Sequence, residues 1–477
     1  MIKKPQNVII AVNEKPNNRG LSVSTIITEK VYKEQQKNDR ISKFFQKFEI
    51  SKAVKSAGFY KRKGTQPVDL LKYVFSLVFR NSNIYLASKD RPADGKSKNT
   101  IYRFLNSKAY NWGKLLYAVA VNLISFLLPL TSEQRENVLI VDDTLYSRSR
   151  SKKVDMLSRV FDHNTNKYVK GFKLLTMAWS DGNTTVPFAY QPIVSTNEKM
   201  IINHIPDSLD KRTREYRLRR AAQANPIEAM FSLLDKADLT LLKAKYLLFD
   251  SWFAFPSVIM KARQKGLHVV CMLKRLYRVY YTYNGEQYNL KALYNHLPHN
   301  RRGNIIASAT VQIHNQDKEE IAVKVVFLRS NKKNDDWVAL LTTNAELDEE
   351  GIIRIYAKRW NIEVLFKISK HYLKLDTELE SRSFESLYAH CAIVFLRYLM
   401  LAYENRIAED DRTCGELFFL ICNELRDITY LQALVILLNV AFTQATADGV
   451  LDNEQISYLM SIFISSIPHF FWGFRKF

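Results

Sequence analysis

The sequence predicts an α/β fold, and three observations lead to that prediction. Two short apolar runs, Val138–Val141 and Leu247–Phe249, each stop at an acidic residue, which is typical of central strands whose carboxyl ends face a ligand. A stretch over residues 268–343 alternates in β fashion and contains turn signals such as YNGEQ. The segments before the first strand and after residue 375 have helical periodicity, so helices should flank the sheet at both ends of the chain.

The composition predicts a large, well-packed protein with a polyanionic partner. A chain of 477 residues is long enough for two to four units of about 100–200 residues each. Lys and Arg number 70 against 48 Asp and Glu, and the net charge of +22 favours nucleic acid over the alternative of a generally basic soluble protein. The aromatic content of 12% argues against disorder.

Several other classes of protein are disfavoured. The four cysteines form no CxxC pair and the nine histidines show no HxxxH spacing, so neither disulfides nor a zinc nuclease site is indicated. The apolar run that starts at Leu115 is broken by Asn122 and Pro129, which predicts a buried helix rather than a membrane span. Because the N-terminus lacks a signal-peptide pattern, we expect a cytoplasmic protein without a membrane partner.

The densest group of charges lies in the segment Ile352–Leu375, which is predicted to be a helix. At about 100° per residue, Glu363 shares one stripe with a phenol and three basic side chains: Tyr356, Arg359, Lys367 and Lys370. The rest of the circumference is mostly apolar, so the helix should be part of the core. The stripe is either an exposed set of salt bridges or a site for an anionic ligand and a cation held by Glu363.

The spacing of Tyr356, Arg359, Glu363 and Lys370 matches the YREK signature without a gap. In this respect the chain resembles the transposases of insertion-sequence family four, which are hairpin-forming DDE enzymes. The resemblance covers roughly residues 135–375. It implies an α/β fold with a ribonuclease-H-like catalytic core, interrupted by a β-rich insertion and flanked by helical N-terminal and C-terminal regions.

The predicted segments follow the chain in order. Residues 41–130 contain three stretches with basic faces that resemble a small DNA-binding bundle, although a plain helical bundle has the same pattern. The full set is a flexible basic arm (1–40), a helical DNA-binding region (41–130), the first part of the catalytic core (131–265), a β-rich insertion (266–345), the second part of the core with the YREK helix (346–405) and a helical C-terminal region (406–477).

Three acids form the predicted catalytic and metal-binding set: Asp142, Asp250 and Glu363. A long gap separates the first two, and a long gap that holds the insertion separates the second from the third. The family follows its first Asp with one residue and a Thr, which selects Asp142 over Asp143, but the strand pattern alone leaves Asp143 open. After its second Asp the family often has a small residue or Gly, and Ser251 departs from this commonest form. Carboxylates and substrate phosphate suit two Mg²⁺ ions per active site, with Mn²⁺ as a substitute, and such a pair serves both ends of a phosphodiester displacement.

The remaining predicted site residues contact DNA. Arg359, Lys367 and Lys370 are placed to bind phosphates of the strand being cut, and Tyr356 can add a hydroxyl hydrogen bond. The resemblance implies that Trp337 stacks on a base flipped out near the element end. A lone Trp at the start of an apolar strand is otherwise more often part of the core.

These features predict a Mg²⁺-dependent transposase that cuts and joins DNA at the terminal inverted repeats of its own insertion sequence, through a hairpin intermediate. Its partners would be double-stranded DNA, as element ends and target, and a second copy of the chain in the DNA complex. We expect a bacterial, nucleoid-associated location. The alternatives are a metal-dependent nuclease that never joins strands and a DNA-binding remnant whose acids no longer hold metal.

Overall fold

The computed structural model describes residues 39–89, 97–132, 135–163, 165–300, 302–315, 319–330, 336–408 and 411–473. The predicted flexible arm over residues 1–40 lies almost entirely outside them. The chain divides into two compact units. One is Lys47–Phe418, and the other takes the described residues of Met1–Gln46 and Phe419–Phe477.

The segment before the first strand is helical, as the periodicity predicts. Ser97 caps the helix Lys98–Leu105, and Asn111 caps the long apolar helix after it, each by accepting a backbone N–H. Pro67 occupies the first turn of its helix, where no N–H is needed. The helices are α1 (Arg40–Lys47), α2 (Ile50–Ser56), α3 (Pro67–Leu77), α4 (Ile84–Lys89), α5 (Lys98–Leu105) and α6 (Trp112–Leu127).

Five strands form the centre of the unit Lys47–Phe418. β1 (Val138–Ser147) lies between antiparallel β3 (Lys167–Ser180) and parallel β5 (Tyr246–Phe249). β4 (Thr185–Ile193) pairs with the far side of β3, and β6 (His268–Met272) runs parallel to β5. The resulting order β4-β3-β1-β5-β6 is a mixed sheet that is consistent with the ribonuclease-H-like core implied by the resemblance. A short strand, β2 (Ser158–Asp162), pairs with the start of β3.

The strands of the predicted insertion continue this sheet. β11 (Trp337–Thr342) pairs with β6, and β10, β9, β7 and β8 follow outward among the described residues. The predicted insertion begins at residue 266, whereas β6 is a parallel strand of the central sheet. Sequence alternation misses this because β6 is a short apolar run directly followed by alternating strands. The outer strands are β7 (Tyr280–Tyr283), β8 (Glu286–Asn289), β9 (Ile305–His314) and β10 (Glu320–Arg329).

The predicted helix over Ile352–Leu375 is interrupted. It consists of α12 (Glu349–Ala357) and α13 (Trp360–His371), joined by Lys358 and Arg359, whose N–H groups bond to carbonyls three residues earlier. Such bonds tighten the turn and rotate the stripe of charged residues about the helix axis. The spacing of apolar residues does not reveal this interruption, because both helices keep the same apolar pattern. The intervening helices are α7 (Arg214–Ala222), α8 (Pro226–Leu234), α9 (Leu239–Leu242), α10 (Pro256–Gln264) and α11 (Leu290–His296).

Three long helices come last in the described sequence. α14 (Phe384–Ile407) is almost entirely buried, and α15 (Cys414–Ala447) and α16 (Asn453–Gly473) complete the described chain. Within the described residues, three helices are long and apolar enough to cross a membrane by length and composition alone. They are Trp112–Leu130, Phe384–Ile407 and Cys414–Ala447, whose most apolar windows are 39%, 94% and 8% buried.

Arg397 on α14 is fully buried and joins α14 to α3 and to the segment that carries Glu378. Its guanidinium donates to Glu378 and to the main-chain carbonyls of Val74 and Phe75 near the end of α3, at 2.6 Å and 2.9 Å for the two carbonyls. A buried guanidinium is tolerated because its N–H groups find acceptors and its charge finds a carboxylate. Removing Arg397 would therefore leave buried acceptors unpaired on two separate segments.

Candidate active site

Asp142 lies on β1, and Asp250 directly follows the neighbouring parallel strand β5. β1 and β5 pair from Val138↔Tyr246 to Ile140↔Leu248, which brings the residues after this ladder to the same end of the sheet. Both side chains line one cavity. Burial, together with the negative charge of Asp250, raises the pKa of Asp142 to about 7, while Arg359 acts to lower it. The two carboxylates therefore share one site.

β1 does not end at its acids, contrary to the prediction. It continues to Ser147 as the antiparallel partner of β3, whereas its other neighbour β5 ends at Phe249. After Ile140, where its pairing with β5 ends, β1 is hydrogen-bonded to β3 alone. Asp142 and Asp143 therefore lie where β1 has a neighbouring strand on one side only. The expected strand-end position is confirmed for Asp250, which directly follows β5.

Adjacent acids on β1 have different partners. Asp142 Oδ2 accepts a hydrogen bond from Arg359 Nη1 at 3.0 Å, whereas Asp143 Oδ1 lies 2.9 Å from Lys173 Nζ on β3. Consecutive residues of a strand point to opposite faces, so the two carboxylates start in different directions. Of the two, Asp142 is the one that Arg359 joins to the helix of Glu363, while Asp143 lines the same cavity and its negative charge contributes to a raised pKa of Asp250.

Glu363 reaches Asp142 through Arg359. Arg359 Nη2 donates to Glu363 Oε1 at 2.5 Å, one helical turn along α13, while Nη1 binds Asp142. The side chains of Arg359 and Asp142 are 15% and 19% exposed, whereas that of Glu363 is 36% exposed, so the pair with Asp142 is the more shielded from water. The structure therefore brings Asp142 and Glu363 together, with a guanidinium between their carboxylates.

A second ion-pair group positions the turn that carries Arg359. Arg354 on α12 forms a bidentate pair with Glu136, with both N–O distances at 2.7 Å, and Lys358 Nζ donates to the Glu136 carbonyl at 2.6 Å. Glu136 precedes β1 by two residues. The start of β1 and the turn before α13 are thus fastened to each other, and the sequence pattern gave no signal of this pairing because it joins distant segments.

Asp142, Asp143 and Asp250 line one large cleft, which we call the carboxylate cleft, whereas Glu363 is not among its lining residues. Its volume is about 870 Å³, and its wall includes Asp142, Asp143, Asp250 and Lys370. His163 and Trp252, which the sequence did not single out, also line it. Trp252 follows Asp250 by two residues and donates its backbone N–H to that carboxylate at 2.9 Å. Its position next to Asp250 in the sequence was the only signal that could have identified it.

The donor set of the carboxylate cleft suits a hard divalent cation. Among the described residues, no group of three His, Cys, Asp or Glu side chains is arranged to hold a metal ion together. Mg²⁺ is commonly held by one or two carboxylates plus substrate phosphates, and Asp142 with Asp250 offers such a pair. Glu363 would become the third ligand once its carboxylate is released from Arg359. The residues present fit the predicted metal in chemical type.

The predicted DNA-binding residues are distributed over two places. Lys370 lines the carboxylate cleft and lies 3.8 Å from Asp376, and Lys367 is exposed on the same helix. Tyr356 is half-buried, with the Arg359 guanidinium 5.9 Å from its ring centre, and burial raises the pKa of its hydroxyl. Of these side chains, Arg359 contacts Glu363, and it binds carboxylates.

Trp337 lies elsewhere, at the start of β11. Its indole is 8% exposed, stacks on Tyr294 at 4.7 Å between ring centres and carries the Arg275 guanidinium 3.9 Å from its ring centre. It lines a separate recess of about 200 Å³ together with Arg275 and Tyr277. A base that stacked where Arg275 lies would first have to displace that guanidinium.

Comparison with known proteins agrees with this site. Residues 83–309 match a family model described as DDE superfamily endonuclease, a span that includes Asp142 and Asp250 but ends before Glu363. No curated protein matches the chain. The match supports a DDE transposase-type family and, with it, a nuclease or transposase type of enzyme whose substrate is DNA and whose superfamily generally uses divalent metal ions.

Proposed function

We propose that this chain is a transposase that cuts and joins DNA at the terminal inverted repeats of an insertion sequence. The observation that carries the proposal is the placement of Asp142 and Asp250 side by side in the carboxylate cleft, with Arg359 linking Asp142 to Glu363. The YREK spacing and the family match over residues 83–309 support the same reading.

Each proposed residue has a distinct chemical task. Asp142, Asp250 and Glu363 would supply oxygen ligands to Mg²⁺ or Mn²⁺, two ions per site. When bound, the ions would activate the attacking oxygen and stabilise the departing one. Lys370 holds a phosphate of the cut strand from the wall of the cleft, and Lys367 extends the positive surface along α13.

Arg359 changes partners in this proposal. A phosphate diester offers the same bidentate acceptor geometry as a carboxylate, so DNA can draw the guanidinium away from Asp142 and Glu363. The two carboxylates are then available as metal ligands at the moment the substrate phosphate arrives. The enzyme is thereby expected to bind its metal ions and its DNA cooperatively.

A metal-dependent nuclease that cuts but never joins is the second candidate, because the matching family model is described as an endonuclease. The experiment that separates the two uses the purified chain, Mg²⁺ and an end-labelled duplex made from the DNA that borders the coding sequence. A transposase gives nicked, hairpin and strand-joined products on denaturing gels. Nicks without hairpin or joined products would favour the nuclease, and no metal-dependent product at all would support an inactive DNA-binding remnant.

A further inference from the structure

One wall of the carboxylate cleft is aromatic. It is built by the β2–β3 hairpin and by the turn after β5, which contribute Phe161, Tyr168 and Trp252. Tyr168 is 57% exposed and Trp252 is 43% exposed, although both rings are large and apolar. Large aromatic rings left open along a functional cleft are typical of surfaces that bind a partner.

These rings are held in place by other aromatic groups. Phe161 packs edge-on against Tyr168 with 5.3 Å between ring centres, and Trp252 packs edge-on against the buried Phe253 at 4.8 Å. The backbone of Trp252 is further fixed by its hydrogen bond to Asp250. The two exposed rings are therefore positioned before any ligand binds, which lowers the entropic cost of stacking on them.

Positive charge lies along the same cleft. Arg159, Lys274 and Lys370 line it, and Arg159 and Lys274 are exposed. Basic side chains interleaved with exposed aromatic rings are the combination by which proteins hold single-stranded nucleic acid, since the bases stack and the phosphates pair with charges. A paired base in a duplex has both faces covered by its neighbours, so only an unpaired base offers a face to Trp252 or Tyr168.

We propose that Trp252 and Tyr168 stack on unpaired bases of the strand whose phosphate reaches Asp142 and Asp250. The carboxylate cleft would thus receive a locally opened strand rather than intact duplex, and Trp252 would act as a positioning residue for the bond to be cut. This inference rests on the proposed function, but it concerns a surface distinct from the recess of Trp337. The volume of about 870 Å³ lies within the range of about 300–1,000 Å³ of ligand-binding clefts.

Binding without metal tests the inference apart from catalysis. The full chain in EDTA is titrated with a fluorescein-labelled single strand of about 12 nucleotides, and separately with a duplex of the same sequence, followed by anisotropy. Trp252→Leu and Tyr168→Leu should each weaken single-strand binding by roughly 5- to 100-fold while leaving duplex binding unchanged. Trp252→Phe should restore most of the affinity because it restores an aromatic face.

Tyr458→Leu is the matched control, because Tyr458 is a 67% exposed aromatic residue that does not line the cleft. It should bind both probes as the unaltered chain does. A 2-aminopurine base in the single strand should be quenched by the unaltered chain and become brighter with Trp252→Leu. Equal losses on single strand and duplex, or no loss on either, would overturn the inference.

The same preparations separate this inference from the proposed function. Mg²⁺-dependent cleavage by the unaltered chain, combined with normal single-strand binding by Trp252→Leu and Tyr168→Leu, would overturn only the stacking role. Absence of any DNA binding by the unaltered chain would overturn both proposals. Thermal unfolding of each variant shows whether a loss of binding comes from loss of the fold.

Discussion

Arg359 Nη1 lies 3.0 Å from Asp142 Oδ2, so the residue predicted to bind DNA instead holds the residue predicted to bind metal. The same guanidinium holds Glu363. Two of the three predicted ligands are therefore linked to one side chain that DNA phosphates would also attract.

The three acids are expected to be required for cleavage but not for DNA binding. Asp142→Asn, Asp250→Asn and Glu363→Gln each remove a charged ligand while keeping the shape of the side chain, so cleavage in Mg²⁺ should fall below detection. Affinity for duplex should stay within the range of the unaltered chain, because metal ligands serve the reaction more than phosphate binding. Denaturing gels and filter binding measure the two properties.

Asp143→Asn is the matched control for this series. Its carboxylate pairs with Lys173 and not with Arg359, so the variant should keep most of its cleavage activity. If Asp143→Asn is inactive and Asp142→Asn is active, the first metal ligand is Asp143.

Arg359→Lys should reduce both metal-dependent cleavage and DNA affinity. A single ammonium cannot bind two carboxylates or a phosphate in the bidentate manner of a guanidinium, and each charge-assisted hydrogen bond is worth about 1.5–3 kcal/mol. We therefore expect a loss of roughly 10- to 100-fold in cleavage rate. In the absence of DNA, however, isothermal titration should show Mn²⁺ binding at least as tight as in the unaltered chain, because the guanidinium that competes for the acids is gone. Weaker Mn²⁺ binding would contradict the exchange of partners.

Binding of DNA should depend steeply on salt. With a net charge of +22, affinity arises largely from release of counterions and should fall by roughly 10³- to 10⁵-fold between about 50 and 200 mM salt if six to ten phosphates are contacted. The slope of log affinity against log salt measures this. A flat slope would argue against nucleic acid as the partner.

Trp337→Ala should spare the first nick and slow hairpin formation by roughly 10- to 100-fold, if the indole replaces lost base stacking. An abasic site at the flipped position should then partly rescue the variant. Because Trp337 is buried against Tyr294, the substitution also removes core contacts, so a thermal unfolding curve must accompany the kinetics. Equal slowing of nicking and hairpin formation would assign Trp337 a structural role alone.

Stability should fall in acid because of Glu136. Its hydrogen bonds from Arg354 hold the pKa of Glu136 at about 2 in the folded chain, below the ordinary value of 4.5. A carboxylate with a lowered pKa contributes stability above its unfolded pKa, and that contribution is lost as pH falls from about 4.5 toward about 2. Urea unfolding at several pH values should show a weaker dependence for Glu136→Gln. An unchanged pH dependence would show that the pair contributes little.

Local patterns in the sequence were sufficient to find two central strands of the sheet. Val138–Val141 and Leu247–Phe249 are continuous apolar runs, and both prove to be central strands. The extension of β1 to Ser147 was missed because residues 143–147 become a strand only through pairing with β3. Long-range pairing of this kind has no local signal.

The contacts of the charged side chains could not be predicted in the same way. The stripe around Glu363 was visible from spacing, and two of its members are near Asp142: Arg359 binds it and Lys370 lines the same cleft. The choice of Arg359 for Asp142 depends on how α13 is placed against β1, and the pairing of Lys358 with Glu136 depends on the same placement. Helical periodicity describes one element at a time and does not contain this information.

The pairing of β11 with β6 fixes the distance between Trp337 and Asp250. Leu341 lies opposite Cys271, and Cys271 lies opposite Phe249, so the β11 residue Trp337 has a defined offset from Asp250. Two strand spacings across and about three residues along correspond to a separation on the order of 15 Å between the two backbones. Loops that lengthen or shorten around this ladder leave the interval unchanged, whereas a bulge in β6 would alter it. The geometry of the sheet would then set the number of nucleotides between the scissile bond and a base held at Trp337.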